Sequence, residues 1–342
     1  SREFSLLSEK ERNLFMKRTT AFLLFFCLLL GGCSAEKAAS DSNITENGSA
    51  LSAASKAEAF LLTDSNGDVL EVPADPRTVC LYGSYADAWL SAGGSLVGTT
   101  EDAVEERGLD VGNAAIVGTV KEPNTEKIIA LDPELVILSA DIVPHQEIRD
   151  VLEDAGLTCA YFRVDTFADY AAMMKGFCTV TGRDDLYRET VEKPEALIGS
   201  VTAAAQKRQT EAQPSVLLIR AFSSGIKAKS DEELAGAILK ELGCHNIADD
   251  HPSMLEDLSL EEVIEADPDF IFVTTMGSEK KALSYLDSLI SENPAWQELS
   301  AVKEGRYVVL PKELFHYKPN ARWGESYGYL AEILYPGIDY EK

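Results

Sequence analysis

The stretch RDDLYRETVEKPEALIGSVTAAAQKR, Arg183 to Arg208, decides how the rest of the chain is read. Leu186, Tyr187, Thr190, Val191, Ala196, Leu197, Ile198, Val201, Ala204 and Ala205 return at three- and four-residue steps, which puts them on one face of a helix. Asp184 and Asp185 stand where a helix N-terminus favours negative charge, and Lys207 and Arg208 where the C-terminus favours positive. A helix of this length spans roughly 39 Å, enough to run across two small domains. Pro194 interrupts the pattern. An interior proline removes a backbone donor and costs about 3 kcal/mol, so the spacing predicts either a kink or a helix that restarts there.

On both sides of this stretch the chain alternates strands and helices. It opens at Ala59 to Val72, where Asn66-Gly67 between two apolar runs marks a hairpin. Strands are predicted at 78–82, 96–99, 135–139 and 159–164, with helices at 85–92, 125–131, 146–155 and 167–180. Beyond the long helix, strands at 215–220, 270–274 and 307–310 alternate with helices at 231–242, 260–266, 279–291 and 321–334. Such alternation calls for parallel sheet with helices packed on its faces, an α/β fold of two Rossmann-like lobes.

The halves echo each other. TEKIIALDPELVIL begins at Thr125 and LEEVIEADPDFIFV at Leu260, an offset of 135 residues. Glu126 aligns with Glu261, Ile129 with Ile264, and Asp132-Pro133 with Asp267-Pro268. Proline stops a helix, which accounts for Asp-Pro at a helix-to-strand joint. It does not account for a glutamate seven residues before each proline together with the same apolar spacing. The expected organisation is therefore an N-terminal lobe at 58–182, a connecting helix at 183–208 and a duplicated C-terminal lobe at 209–342.

The chain has 342 residues, is 45% hydrophobic, and carries 57 acidic against 31 basic residues, for a formal charge of -26. So acidic a surface repels phosphate backbones and excludes nucleic acid as a partner. Near the start, Lys17 and Arg18 precede the apolar run AFLLFFCLLL, Ala21 to Leu30, which is short for a bilayer span and fits a signal peptide. It ends in Leu30-Gly31-Gly32-Cys33, which resembles the bacterial lipobox, so Cys33 is expected to become the lipidated mature N-terminus. Residues 1–33 are thus a start extension before Met16, a signal peptide and the lipobox, and 34–57, rich in Ser and Ala, a flexible tether. Of the cysteines beyond it, Cys80, Cys159, Cys178 and Cys244, none forms a C-x-x-C pair; buried thiols are expected, with a disulfide left open.

Catalytic signatures are missing: there is no G-x-S-x-G, H-E-x-x-H, P-loop or G-x-G-x-x-G, and the four histidines lie in separate segments. No enzyme, cofactor or resident metal is expected. From about Ala59 to Pro336 the chain resembles the solute-binding proteins of ABC importers for ferric siderophores, haem and vitamin B12. The segments that carry the likeness are TDSNGDVLEVP, PNTEKIIALDPELVILS, LGCHNIADD, SLEEVIEADPDFIFV, PAWQELSAVKEGRYVVLP and RWGESYGYLAEILYP, in that order. The resemblance implies the class III periplasmic-binding-protein fold, two lobes joined by one rigid helix with the ligand in a shallow cleft between them. It also implies that Glu126 and Glu261, one per lobe, dock onto basic pockets of the membrane permease.

Ligand sites in open α/β lobes lie at the carboxyl ends of strands. That rule selects Tyr82, Ser84, Tyr85, Thr99 and Thr100, then Ser139, His145 and Arg163 in the first lobe. In the second it selects Arg220, Ser223, Thr274 and Met276, and the FHYKPNARW stretch with His316, Tyr317, Lys318 and Arg322. Tyrosines and arginines suit a large, partly aromatic, partly anionic chelate. The expected function is that of an extracytoplasmic, monomeric lipoprotein of the cell membrane that captures a ferric siderophore-type complex and passes it to an ABC permease. Haem or cobalamin is the alternative ligand, with His316 or Tyr317 as an axial group for haem, and a ligand-sensing surface receptor the alternative role.

Overall fold

The computed structural model describes residues 59–209, 213–256 and 258–341; the segments expected to be signal peptide and tether, and Cys33, lie outside them. Strands β1 (Ala59–Thr63) and β2 (Val69–Pro73) pair antiparallel about the Asn66-Gly67 turn, where Gly67 takes φ +87°, a conformation that favours glycine. The first lobe follows with β3 (Thr78–Cys80), β4 (Gly98–Thr99), β5 (Ala115–Ile116), β6 (Leu135–Ser139) and β7 (Cys159–Phe162), all parallel, in the order β5-β4-β3-β6-β7. The second lobe contains β8 (Ser215–Phe222), β9 (Gly225–Ala228), β10 (His245–Asn246), β11 (Phe270–Thr275) and β12 (Tyr307–Val309). Its parallel strands run β10-β8-β11-β12, and β9 turns back antiparallel on β8. The order β4-β3-β6-β7 thus recurs as β10-β8-β11-β12.

The echoed segments hold equivalent places. Each is a short helix, Thr125–Ala130 or Leu260–Ala266, feeding the strand next to the first strand of its lobe, β6 or β11. Asn124 and Ser259, again 135 apart, cap these helices by accepting from the backbone N–H of Lys127 and Glu262. Asp132 and Asp267, ahead of the prolines, both take left-handed backbone, φ 48° and 37°. Two expectations are corrected: the helix predicted at 146–155 is two, Val143–Glu147 and Arg149–Asp154, because Pro144 starts a turn early, and the short strands β5, β9 and β10 were not foreseen.

The connecting helix runs without a break from Asp184 to Arg208, and the proline leaves its mark one turn earlier. Residues Arg188–Glu192 form a π-turn between the α-helical segments Asp184–Tyr187 and Lys193–Arg208. The wider turn relieves the clash a proline ring makes with the carbonyl four residues back. That carbonyl, on Thr190, is satisfied from outside the helix: the hydroxyl of buried Tyr170 donates to it at 3.1 Å. Tyr170→Phe is expected to leave the Thr190 carbonyl unpaired and to cost about 1–3 kcal/mol in chemical or thermal unfolding. Adding Pro194→Ala restores a local N–H donor and is expected to recover part of that loss; equal stability of Tyr170→Phe and wild type would refute the account.

One apolar cluster passes through both lobes. It joins Tyr85, Trp89 and Phe177 of the first lobe, Val191, Val201 and Ala205 of the connecting helix, and Leu234, Phe272 and Leu330 of the second. The C-terminal helix Trp323–Leu334 lies against the connecting helix so closely that a Cβ on Gly324 would stand 2.7 Å from Leu197 Cδ2. Two further clusters fill the other faces of the sheets, around Ile128 and Val136 in one lobe and Val263 and Val273 in the other. Cys80, Cys159, Cys178 and Cys244 are all buried and free, and burial pushes the thiols of Cys159 and Cys244 up to about 12. Among the described residues, no helix is long and apolar enough to cross a membrane.

Candidate functional site

The segment after β12 crosses from the second lobe to the carboxyl ends of the first lobe's strands, and these contacts locate the cleft. Asn320, 2% exposed, donates its side-chain amide to the Ser84 carbonyl at 2.8 Å and to Asp87 at 2.7 Å. Lys318 pairs with Asp165 at 3.2 Å. Arg107, which follows the helix Glu101–Glu105, reaches Asp87 at 2.5 Å, the Ser84 hydroxyl at 3.3 Å and the Lys318 carbonyl at 3.5 Å. Its guanidinium also stands over the Tyr317 ring, 5.7 Å from the centroid, and Lys312 approaches the same ring at 5.7 Å.

Around Tyr317 the cleft gathers cations, most of them ion-paired, and aromatic rings. Tyr82 lines it from the first lobe, held edge-on to Tyr85 with centroids 5.0 Å apart. His316 and Tyr317 have ring centroids 5.3 Å apart. Burial, then the charges of Lys312 and Arg220, push His316 down to about 4, so its imidazole is neutral at pH 7. Burial and the neighbouring Glu106 carboxylate push the Tyr317 hydroxyl up to about 12. Arg220 pairs with Glu233 at 2.6 Å, and Lys229 holds the other oxygen of that carboxylate at 2.7 Å. At the rim Arg163 pairs with Asp141 at 2.6 Å, and burial raises Asp141, with the Asp165 charge adding to it. The Nε donors of Arg107 and Arg220, one from each lobe, are buried without a hydrogen-bond partner among the described residues. Such a wall has the donors to take up anionic oxygens in exchange for its carboxylate partners, and rings on which planar groups can stack.

Of the residues selected from sequence, Tyr82, Arg220, His316 and Tyr317 come together here, with Arg163 at the rim and Ser84 nearly buried beneath Arg107. Met276 is 41% exposed after β11, where the carbonyl of its neighbour Gly277 accepts from Lys312. Arg322 is exposed and pairs with Glu325 at 2.8 Å. Three are out of reach. His145 is fully buried, its Nδ1 accepting from the Ser139 N–H at 3.1 Å and its Nε2 bonded to the Val120 carbonyl at 3.0 Å, and burial drives it down to about 4. Tyr85 is fully buried with its hydroxyl donating to the Phe162 carbonyl at 3.0 Å, because the helix begins at Gly83 and turns this side chain onto the sheet. Thr100 is fully buried and donates to Asp102 at 2.6 Å. Of the other strand-end residues named, Thr99, Ser139 and Thr274 are also buried, and Ser223 is exposed.

Arg107, which joins this wall, was not selected from the sequence: it follows a helix, not a strand, and only its basic charge in the acidic run EDAVEER sets it apart. An open recess of about 490 Å³ lies between the hairpin and the end of β7, lined by Asp64, Asn66, Phe162, Arg163 and Met173 and by no residue of the second lobe. Glu126 and Glu261 are exposed in the first turns of their helices, and neither has an ion-pair or hydrogen-bond partner among the described residues.

Known proteins fit this geometry. Residues 79–314 match the family described as periplasmic binding protein. The chain is 26% identical over 292 residues to the Fe(3+)-citrate-binding protein YfmC of Bacillus subtilis, covering 83% of this chain and 85% of that one. It is 27% identical over 202 residues to the petrobactin-binding protein YclQ of the same organism, covering 57% and 61%. Among solved structures, the TroA-like periplasmic binding protein FepB of Veillonella parvula superposes with a TM-score of 0.66 at 18% identity, over 81% of this chain and 90% of that one. YclQ superposes with a TM-score of 0.64 at 20% identity, over 83% and 100%. Two α/β lobes of matching strand order, one helix between them and a cleft at the strands' carboxyl ends make this chain a member of the periplasmic binding protein family, of the class III fold.

Proposed function

We propose that the protein is an extracytoplasmic lipoprotein, anchored through Cys33, that captures an iron complex and delivers it to an ABC permease. The observation that carries this is the cleft wall: Arg107, Arg220, Lys312 and Lys318 converge with Tyr82 and Tyr317 in a chain whose formal charge is -26. Cations and rings from both lobes fit a ferric chelate that presents carboxylate or catecholate oxygens. The names of the relatives, which bind ferric citrate and petrobactin, support the same class. Binding is reversible, no chemistry is done on the ligand, and the protein acts as a monomer. Glu126 and Glu261 serve as the contact points for the permease.

The test is titration of the mature chain with ferric citrate, a ferric catecholate, haem and cyanocobalamin, followed by tryptophan fluorescence and absorbance. Saturable binding of a ferric chelate, tighter than of the metal-free chelator, is the expected result; saturation by none of the four ligands would overturn the reading. A haem spectrum without ferric-chelate binding would move the assignment to haem, which the neutral His316 beside Tyr317 favours as the second reading.

A further inference from the structure

Nine large hydrophobic side chains are exposed among the described residues, and two of them, Ile129 at 37% and Ile264 at 36%, stand 135 residues apart at equivalent places in the two lobes. None of the other seven has such a counterpart: Val151, 50% exposed, corresponds to Leu286, which is buried at 1%. Singly exposed aliphatic residues are ordinary; the same one left exposed on both copies of a helix is not. Each isoleucine lies three residues after a glutamate, so Glu126 and Ile129 share one helix face, as do Glu261 and Ile264. Ile128 and Val263, fully buried, seat the opposite faces on their lobes. The two faces therefore match in cap, charge, apolar group and seating.

We propose that each Glu-x-x-Ile face is a docking half-site for the membrane permease, in which the isoleucine enters an apolar pocket beside the cation that receives the glutamate. This rests on the importer reading above. The unpaired carboxylate calls for a basic partner and the adjoining isoleucine for an apolar one. Their recurrence on two like lobes calls for a partner that offers the pair twice, from two similar halves. The two residue types divide the work: a solvated carboxylate steers encounter and sets register, while a desolvated aliphatic group slows departure.

The test measures association of the intact protein with the purified permease–ATPase complex in nanodiscs. Ile129→Gln with Ile264→Gln is expected to raise the dissociation rate at least about tenfold while association changes less than about threefold. Titration with ferric citrate is expected to match the wild type, and so is the permease binding of a Val151→Gln control. An unchanged dissociation rate in the isoleucine variant, or an equal effect of Val151→Gln, would overturn the half-site. Loss of association in Glu126→Ala with Glu261→Ala alongside normal dissociation in the isoleucine variant would overturn it while sparing the importer reading. A wild-type protein that binds no permease would overturn both.

Discussion

Replacing Glu126 and Glu261 together with alanine is expected to cut ligand uptake by at least about a hundredfold while the dissociation constant for ligand stays at the wild-type value. Both carboxylates are exposed and unpaired among the described residues, so removing them leaves no buried charge behind and opens no cavity. Their contribution to the fold is that of an acidic residue in the first turn of a helix, about 0.3–1 kcal/mol each. Glu126→Gln with Glu261→Gln keeps size and hydrogen bonding and isolates the charge; it is expected to lose uptake nearly as fully. Single variants are expected to retain part of the activity, because one remaining point of register still orients the molecule. Uptake by the double variant at the wild-type rate, in cells lacking their own copy of the protein, would remove the docking role.

Arg107→Ala is expected to weaken ligand binding by about 30- to 5,000-fold, the range for loss of a desolvated charged group at an interface. The side chain is only 12% exposed and ties Asp87, Ser84, the Lys318 carbonyl and the Tyr317 ring into one wall. Its loss therefore acts twice, by removing a cation and by loosening the crossing segment. Arg107→Lys separates these effects, since lysine keeps the charge and lacks the planar fork. The lysine variant is expected to fall between alanine and wild type, and titration shows the order. Equal affinities for all three proteins would exclude Arg107 from the site.

The long helix, the α/β class and the lobe repeat were legible because each is written in periodicity or offset, which survive without knowledge of neighbours. The π-turn was not, since the donor that reaches the Thr190 carbonyl in place of the missing Pro194 N–H is Tyr170, twenty residues away on another helix. Strand-end logic selected Tyr82, Arg220, His316 and Tyr317, which the structure brings together, and also His145 and Tyr85, which it buries, because position along a chain does not say which way a side chain turns after the strand ends. At His145 the deciding fact was a pair of backbone partners, Ser139 and Val120, visible only in three dimensions. Arg107 and the Asn320 bridge were hidden for the complementary reason: their importance comes from the other lobe.

The apolar cluster that threads both lobes has an evolutionary consequence. A chain built from two like halves invites the idea that either half once stood alone, yet here one apolar cluster takes in Val191, Val201 and Ala205 of the connecting helix together with side chains of both halves. Cutting the gene at its repeat would divide that cluster and leave part of it facing water. The ancestral unit, if it was a single lobe, must have covered this surface differently, by self-pairing or by a polar face since lost. Substitutions within that cluster therefore act on the packing of both halves together.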